Sequence, residues 1–280
     1  MDHSITGLYA HINSDISLNE NKIKSPWTWL RYWWNRSGPL SIPGGVTTIG
    51  FVSSDMKPKS LPDLEFYLME MGTIKNEAMR KLGNIRQELW DSGFLPSDNG
   101  PDSKGFFMAA ILTKPTSRGR VSLASAEPWD YPNIDPAYLK TNDDADRLAA
   151  GLKFILQLAN TTEFSELGTK IHIPVLPTCH KFTPLSKLHF KCIVKQLATS
   201  SWHLAGTCRM GSPDSKDTVT DPSLRVLGVE GLRVADASVM PIVSSANPVS
   251  QVMVIAEKAA DMITQDRLYG VVGTRGTVWI

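Results

Sequence analysis

The chain has 280 residues, enough to bury a full core in one large domain or two ordinary ones. Its 29 Lys and Arg against 28 Asp and Glu leave a formal charge of +1, which gives no electrostatic footprint for nucleic acid or an acidic membrane surface. The longest apolar runs, such as residues 106–112, are far too short to span a bilayer, so a soluble chain with no membrane span is expected.

In chain order, the first predicted helix covers residues 25–38. Ser25 can cap it, Pro26 suits its first turn, Trp27, Leu30 and Trp34 share a face, and Gly38-Pro39 stops it. The cluster Trp27, Trp29, Trp33 and Trp34 would suit a substrate pocket, but aromatics at helical spacing are more often core, and core is the expectation here. Strands are predicted at residues 46–52, behind Gly44-Gly45, and at residues 64–69. Residues 108–112 and 120–123 read as two strands joined through Pro115-Thr116-Ser117-Arg118-Gly119, whose proline and glycine turn the chain. After Pro132-Asn133-Ile134-Asp135-Pro136 comes a helix capped by Thr141 or Asn142. Asp143 and Asp144 complement the positive end of its dipole, and Leu148, Leu152, Ile155 and Ala159 lie on one stripe.

Residues 232–235 are predicted as a short strand ending at Asp236. Residues 248–265 follow as a helix with Val249, Val252, Ala256, Ala259 and Ile263 on its buried stripe. A strand ending in a carboxylate, then a loop and a helix N-terminus, is the layout with which open α/β sheets hold a cofactor. The tail over residues 268–280 lacks periodicity and reads as a frayed terminus.

Three cysteines, Cys179, Cys192 and Cys208, are too few and too scattered for a disulfide framework, and an odd number leaves one thiol over. His203 with Cys208, and His172 with Cys179 and His180, lack the paired spacing of a metal knuckle, so no metal is expected. The opening Met1-Asp2-His3-Ser4 has neither the basic nor the apolar region of a secretory signal. Asn35-Arg36-Ser37 and Asn160-Thr161-Thr162 are glycosylation sequons, a weak hint of a secreted parent.

The densest chemistry lies toward the C-terminus. The chain reads Ser200-Ser201-Trp202-His203-Leu204-Ala205-Gly206-Thr207-Cys208-Arg209-Met210-Gly211, later Arg233-Val234-Ala235-Asp236-Ala237-Ser238-Val239-Met240-Pro241, and then Asn247-Pro248 before the last helix. This ordered run resembles the C-terminal signature of the glucose–methanol–choline oxidoreductases, flavin enzymes that oxidise alcohols, and is similar to that of animal glucose and choline dehydrogenases. Ser117-Arg118-Gly119-Arg120 and Ile134-Asp135-Pro136 are similar to parts of that family's substrate domain, and Asp2-His3 resembles the end of its Asn-Leu-Gln-Asp-His segment. The resemblance implies an α+β fold: an antiparallel-sheet substrate-binding region with helices over residues 1–195, then over residues 196–265 the C-terminal strand and helix of a partial FAD-binding α/β domain. An atypical tail over residues 266–280 would complete the chain.

Removing a hydride from an alcohol requires a group to take the hydroxyl proton, and an imidazole titrating near neutrality suits that task. Taken alone, a histidine placed like His203, between Trp202 and Leu204, is more often a hydrogen-bonded core residue. The resemblance implies that it is the catalytic base. The Asn247 amide could hold the alcohol oxygen or simply cap the helix beginning at Pro248, and the resemblance implies a His–Asn pair. Asp236 could cap the next turn with Ser238 or, as the resemblance implies, hold FAD together with Ala237, Asn247, Pro248 and Val249. The helix N-terminus would then favour negative charge on the reduced ring. Cys208 has no adjacent base and reads as a small buried thiol.

No Gly-x-Gly-x-x-Gly turn for a dinucleotide pyrophosphate occurs: Gly270, Gly273 and Gly276 have the wrong spacing, and Gly44-Gly45 has no third glycine. A fragment, a truncated gene model or a short isoform is therefore expected, with FAD weakly held. Two functions follow. One is FAD-dependent oxidation of a small-molecule alcohol or sugar with His203 as base, the other a catalytically silent binding module. A hydrolase using His203 fails for want of a Gly-x-Ser-x-Gly elbow. Neither the alcohol nor the electron acceptor can be read from the residues.

Overall fold

The computed structural model describes residues 1–55, 60–70, 80–81, 83–91, 95–97, 100 and 102–269. Gly270, Gly273, Gly276 and most of the tail lie outside them. In chain order the described residues form β1 (Ser4–His11), α1 (Glu20–Lys24), α2 (Pro26–Asn35), β2 (Val46–Val52), β3 (Leu64–Met69), α3 (Gln87–Asp91), β4 (Gly105–Leu112), β5 (Arg120–Ser122), β6 (Asn133–Asp135), α4 (Asn142–Ala159), α5 (Thr162–Glu166), β7 (Lys170–His172), α6 (Lys187–Leu197) and α7 (Val249–Tyr269). They divide into two compact units. One, the sheet unit, spans residues 4–112 and 141–199, and the other, the signature unit, holds residues 1–3, 113–140 and those from Ser200 onward.

The sheet unit has the expected α+β arrangement, an antiparallel sheet in the order β2-β3-β4-β1-β7 with helices packed on it. β4 is flanked by β1 and β3 on both edges and is buried along nearly its whole length, which explains its run of apolar residues without polar alternation. α4 lies against this sheet. Its N-cap is Thr141, whose hydroxyl accepts from Asp144 N at 3.4 Å, and Leu148, Leu152, Ile155 and Ala159 form its buried stripe. Gly151 allows the close approach: a Cβ there would stand 2.9 Å from Ala110 Cβ. α6 packs on α4 through Phe190, Ile193 and Val194, with Ser186 accepting from His189 N at 3.2 Å as its cap.

Two expectations for this unit are corrected. Cys179 and Cys192 are joined in a disulfide, with Cα atoms 5.7 Å apart, and Cys208 is the thiol left over. Counting cysteines missed the pair because packing of α6 on the turn at Pro177–Cys179 creates it, and no periodic spacing does. α2 forms with Pro26 in its first turn, but Trp27, Trp29, Trp33 and Trp34 are 54 to 77% exposed and are not core. Helical spacing defines a face and says nothing about what covers it. Both strands expected at residues 108–112 and 120–123 form, as β4 and as β5 over Arg120–Ser122, and β4 bonds to β1 and β3.

In the signature unit β5 pairs instead with β6, Arg120 opposite Asp135 and Ser122 opposite Asn133. Gly119 is required at their junction, since a Cβ would lie 2.2 Å from Asp135 O. Residues 206–210 run beside the 3-10 turn Ala237–Val239, with Gly206 N donating to Ala237 O, Cys208 N to Ser238 O and Met210 N to Val239 O at 3.2, 2.9 and 2.8 Å. The predicted strand at residues 232–235 is reduced among the described residues to one bridge between Arg233 and Arg225, beside the short stretch at residues 224–226. Two small apolar clusters hold the unit, Leu224 with Val239 and Ala259, and Ala205 with Met240 and Val243. α7 joins both through Ile255. Its predicted stripe is also corrected, since Val249 and Ala256 are exposed, Ala259 is buried, and Val252, Ile255 and Ile263 are half-buried. Apolar residues occur nearly all round this helix, so periodicity alone cannot choose the face.

Candidate active site

The site is built from its acid outward. Asp2 is buried, and its carboxylate accepts three hydrogen bonds: from His203 N at 2.9 Å, from Ser200 Oγ at 2.5 Å and from the Tyr138 hydroxyl. Charge-assisted bonds of this kind are about twice as strong as neutral ones, so a single carboxylate ties three separate segments together. Burial, followed by the bond to Asp2, pushes the Tyr138 hydroxyl up to about 12, which keeps it a donor. Ser200 accepts in turn from Trp202 N at 2.8 Å. Trp202 has φ 58°, a left-handed conformation that a bulky residue rarely adopts, and the Asp2 and Ser200 bonds on either side hold the turn.

This turn presents His203. Its ring Nδ1 lies 2.9 Å from Nδ1 of His3, with the rings edge to face at 88° and centroids 5.0 Å apart. His3 is wholly buried, and burial, reinforced by the neighbouring His203, pushes it down to about 4. His203 is half-buried and also held below the ordinary histidine range, mainly by burial, with Asp2 pulling the other way. Both rings are therefore neutral at neutral pH, and one must donate to the other.

Beside this pair a groove of about 750 Å³ is lined by Arg118, Arg120, Leu204, Gly206, Thr207 and the turn from Asp236 to Ser238. Asp236 is exposed in it and accepts from Ser238 N at 2.7 Å, capping the 3-10 turn. Gly206 has φ +83°, and a Cβ there would meet Met240 O at 2.9 Å, so the wall at this point is bare backbone. Of the residues singled out by sequence, the groove gathers Asp236 and Ala237 with Gly206 and Thr207. Its lining does not include His203, Asn247, Pro248 or Val249. Asn247 is exposed immediately ahead of α7, whose first turn is closed by Val252 N to Pro248 O at 2.9 Å, and Val249 is exposed on that turn.

Sequence reasoning missed Asp2, His3, Tyr138 and Ser200 as site residues. The available signal was the Asp-His pair itself, noticed only as a family marker. Tyr138 has no local signal. Among the described residues no group of three or more His, Cys, Asp or Glu side chains is placed to hold a metal ion, and no helix is long and apolar enough to cross a membrane.

A family model described as GMC oxidoreductase matches residues 115–256. The chain is 30% identical over 264 residues to Neither inactivation nor afterpotential protein G of Drosophila melanogaster, an alignment covering 90% of this chain and 43% of that protein. It is 33% identical over 265 residues to an uncharacterized GMC-type oxidoreductase of Mycobacterium tuberculosis, covering 94% and 44% of the two. It is 35% identical over 171 residues to the FAD, quinone glucose dehydrogenase of Drosophila melanogaster, covering 61% and 27%. Among solved structures, formate oxidase from Aspergillus oryzae matches with a TM-score of 0.72 at 23% identity, over 96% of this chain and 47% of that one. The chain thus spans less than half the length of each of these relatives.

Proposed function

We propose, from the premise that this chain belongs to the GMC oxidoreductase family, that it supplies the substrate side of an FAD-dependent enzyme oxidising a small alcohol or sugar to a carbonyl. Residues 1–195 would form the substrate-binding region and residues 196–265 the part returning to the cofactor. The observation that carries this reading is His203: a half-buried, neutral imidazole whose backbone is clamped by Asp2 and whose Nδ1 is engaged by His3, leaving Nε2 to take a proton. The Asn247 amide would donate to the alcohol oxygen and orient the carbon. The relatives' names point the same way, one being a glucose dehydrogenase and others ecdysone oxidases.

The donor set of the groove fits part of an FAD. Thr207, Arg118 and the exposed Asp236 beside bare backbone at Gly206 suit the polar portion of a dinucleotide, and Ala237, Asn247, Pro248 and Val249 would complete the contacts. When bound, the flavin supplies the acceptor for the hydride. The sequence has no glycine turn for the pyrophosphate, and that observation favours a second reading, a silent binding module. The Cys179–Cys192 disulfide and the exposed asparagines of both sequons, Asn35 and Asn160, support maturation in an oxidising, secretory compartment.

The test is to purify the chain with FAD, desalt it, record the visible spectrum and add glucose or choline. A stoichiometric flavin band that bleaches with either supports catalysis by this chain. A flavin-free protein that still binds either compound in calorimetry supports the binding module, and a protein that does neither removes both readings.

A further inference from the structure

We propose that α2 is a peripheral membrane-binding element, whose outward apolar face lies in the headgroup boundary of a bilayer carrying anionic lipids. The helix is built inside out. At 3.6 residues per turn Trp29, Trp33, Leu30, Trp34 and Trp27 follow one another around an arc of roughly 160°, and all five are exposed. The opposite arc holds Arg31, Asn35, Thr28, Tyr32 and Arg36, and its centre, Thr28 and Tyr32, is the half-buried side. A surface helix of a globular fold turns its apolar stripe to the core. Here α2 packs on α1 and on the 3-10 turn Pro39–Ser41 and leaves that stripe outside.

Charge on the borders of the arc identifies what covers it. Arg36 flanks it beside Trp29 and Arg31 flanks it beside Trp27, and among the described residues neither pairs with a carboxylate. Arg31 Nε donates to Ser37 Oγ at 3.4 Å, and the Arg36 guanidinium lies over the Tyr32 ring, 5.8 Å from its centroid. Residues 21–54 contain Lys22, Lys24, Arg31 and Arg36 and no acid at all. Lys22 and Lys24 are answered by Asp15 and Glu20, so the two arginines are the cations left to a partner. The near-zero charge of the whole chain conceals this local excess. Anionic headgroups on either side of an inserted helix supply the missing counter-charges, whereas a neutral sugar stacked on the tryptophans leaves them unanswered.

The residue type fits the same place. Tryptophan settles at the headgroup level because its ring is apolar and its indole N–H is polar. Trp29 donates that N–H to Ile23 O at 2.7 Å, which fastens α2 to α1, while those of Trp27, Trp33 and Trp34 have no acceptor among the described residues and can reach headgroup or ester oxygens. At 10 residues, roughly 15 Å, the helix is too short to cross a bilayer and long enough to lie flat in its surface.

Sedimentation of the chain with vesicles, of phosphatidylcholine alone and of phosphatidylcholine mixed with phosphatidylserine, tests this, with tryptophan emission recorded alongside. The mixed vesicles should carry the chain down, shift its emission to the blue and quench it when their acyl chains are brominated. Binding should weaken as salt rises. Arg31→Gln and Arg36→Gln should each weaken binding to the mixed vesicles by roughly fivefold and leave binding to phosphatidylcholine alone unchanged. Trp33→Ser combined with Trp34→Ser should weaken binding to both by at least roughly tenfold. The quenching is read on the wild type, so it stands even where a variant fails to fold. Absence of quenching by the mixed vesicles would overturn the proposal, as would binding that survives the tryptophan substitutions in a folded variant. A concentration-dependent dimer that the same substitutions abolish, without vesicle binding, would give the face to a second copy of the chain. An emission shift with dextran and none with vesicles would give it to a carbohydrate.

Discussion

Glu65 offers the sharpest test of the energetics. It sits in β3 opposite Ile111 of β4, is 2% exposed, and its Oε2 has no hydrogen-bond partner among the described residues. Burial pushes its carboxyl from the ordinary 4.5 up to about 7, with a bond from Tyr67 pulling the other way. Below about pH 4.5 the group is protonated in both folded and unfolded chains and costs nothing. As pH rises, the unfolded chain releases its proton first, so folding stability falls until the folded group also ionises near 7. The whole displacement corresponds to at most roughly 3 kcal/mol, and less where water reaches the other oxygen. Glu65→Gln keeps the shape and removes the titration. Urea unfolding followed by far-ultraviolet circular dichroism, at pH 4.5 and pH 8, should show the wild type losing about 1 to 3 kcal/mol more than the variant over that interval. Parallel pH profiles for the two proteins would refute the reasoning.

Leu152→Ala removes a fully buried side chain from α4 and should cost about 2–5 kcal/mol in the same urea assay, with little effect on the signature unit. Reducing the Cys179–Cys192 bond, or replacing both cysteines by serine, opens a loop with a separation of 13 residues and should lower stability by about 3 kcal/mol, read from the urea midpoint with and without reductant. Gly206→Ala combines a left-handed backbone with a Cβ 2.9 Å from Met240 O, and should destabilise by over about 1 kcal/mol, seen as faster amide exchange at Cys208 and Met210. If the chain turns over alcohol, His203→Ala should lower the rate by roughly 10²- to 10⁴-fold in a dye-reduction assay.

The elements legible in the sequence are those whose evidence is local. β2 and β3 lie where their β-prone runs predict, and α4 starts at its Thr141 cap and buries the stripe that its spacing marks, because capping and periodicity act within a few residues. Pairing is a different matter. Residues 120–122 are close in sequence to β4 yet bond to β6, since β4 already has a neighbour on each edge and offers no free ladder. The tryptophans of α2 and the seam of α7 fail for one reason: amphipathicity reports that a face exists, whereas burial depends on what packs against it.

The candidate site divides along the same line. His203 and Asp236 stand out by residue type, because an imidazole and an exposed carboxylate carry chemistry wherever they lie. The groups that give His203 its properties cannot be found that way, since Asp2 meets Tyr138 and His203 across 136 and 201 positions and His3 meets His203 across 200. Asp2 and His3 carry no periodic signal, and each would pass for a surface residue, yet both are buried. Burial converts an ordinary Asp-His pair into an anchor and a neutral imidazole. The properties that matter for His203 are its ring contact with His3, its lowered proton affinity and its fixed backbone. Asp2 holds its backbone from 201 positions away, His3 meets its ring from 200, and burial lowers its proton affinity, so these properties belong to the folded site and to no local motif.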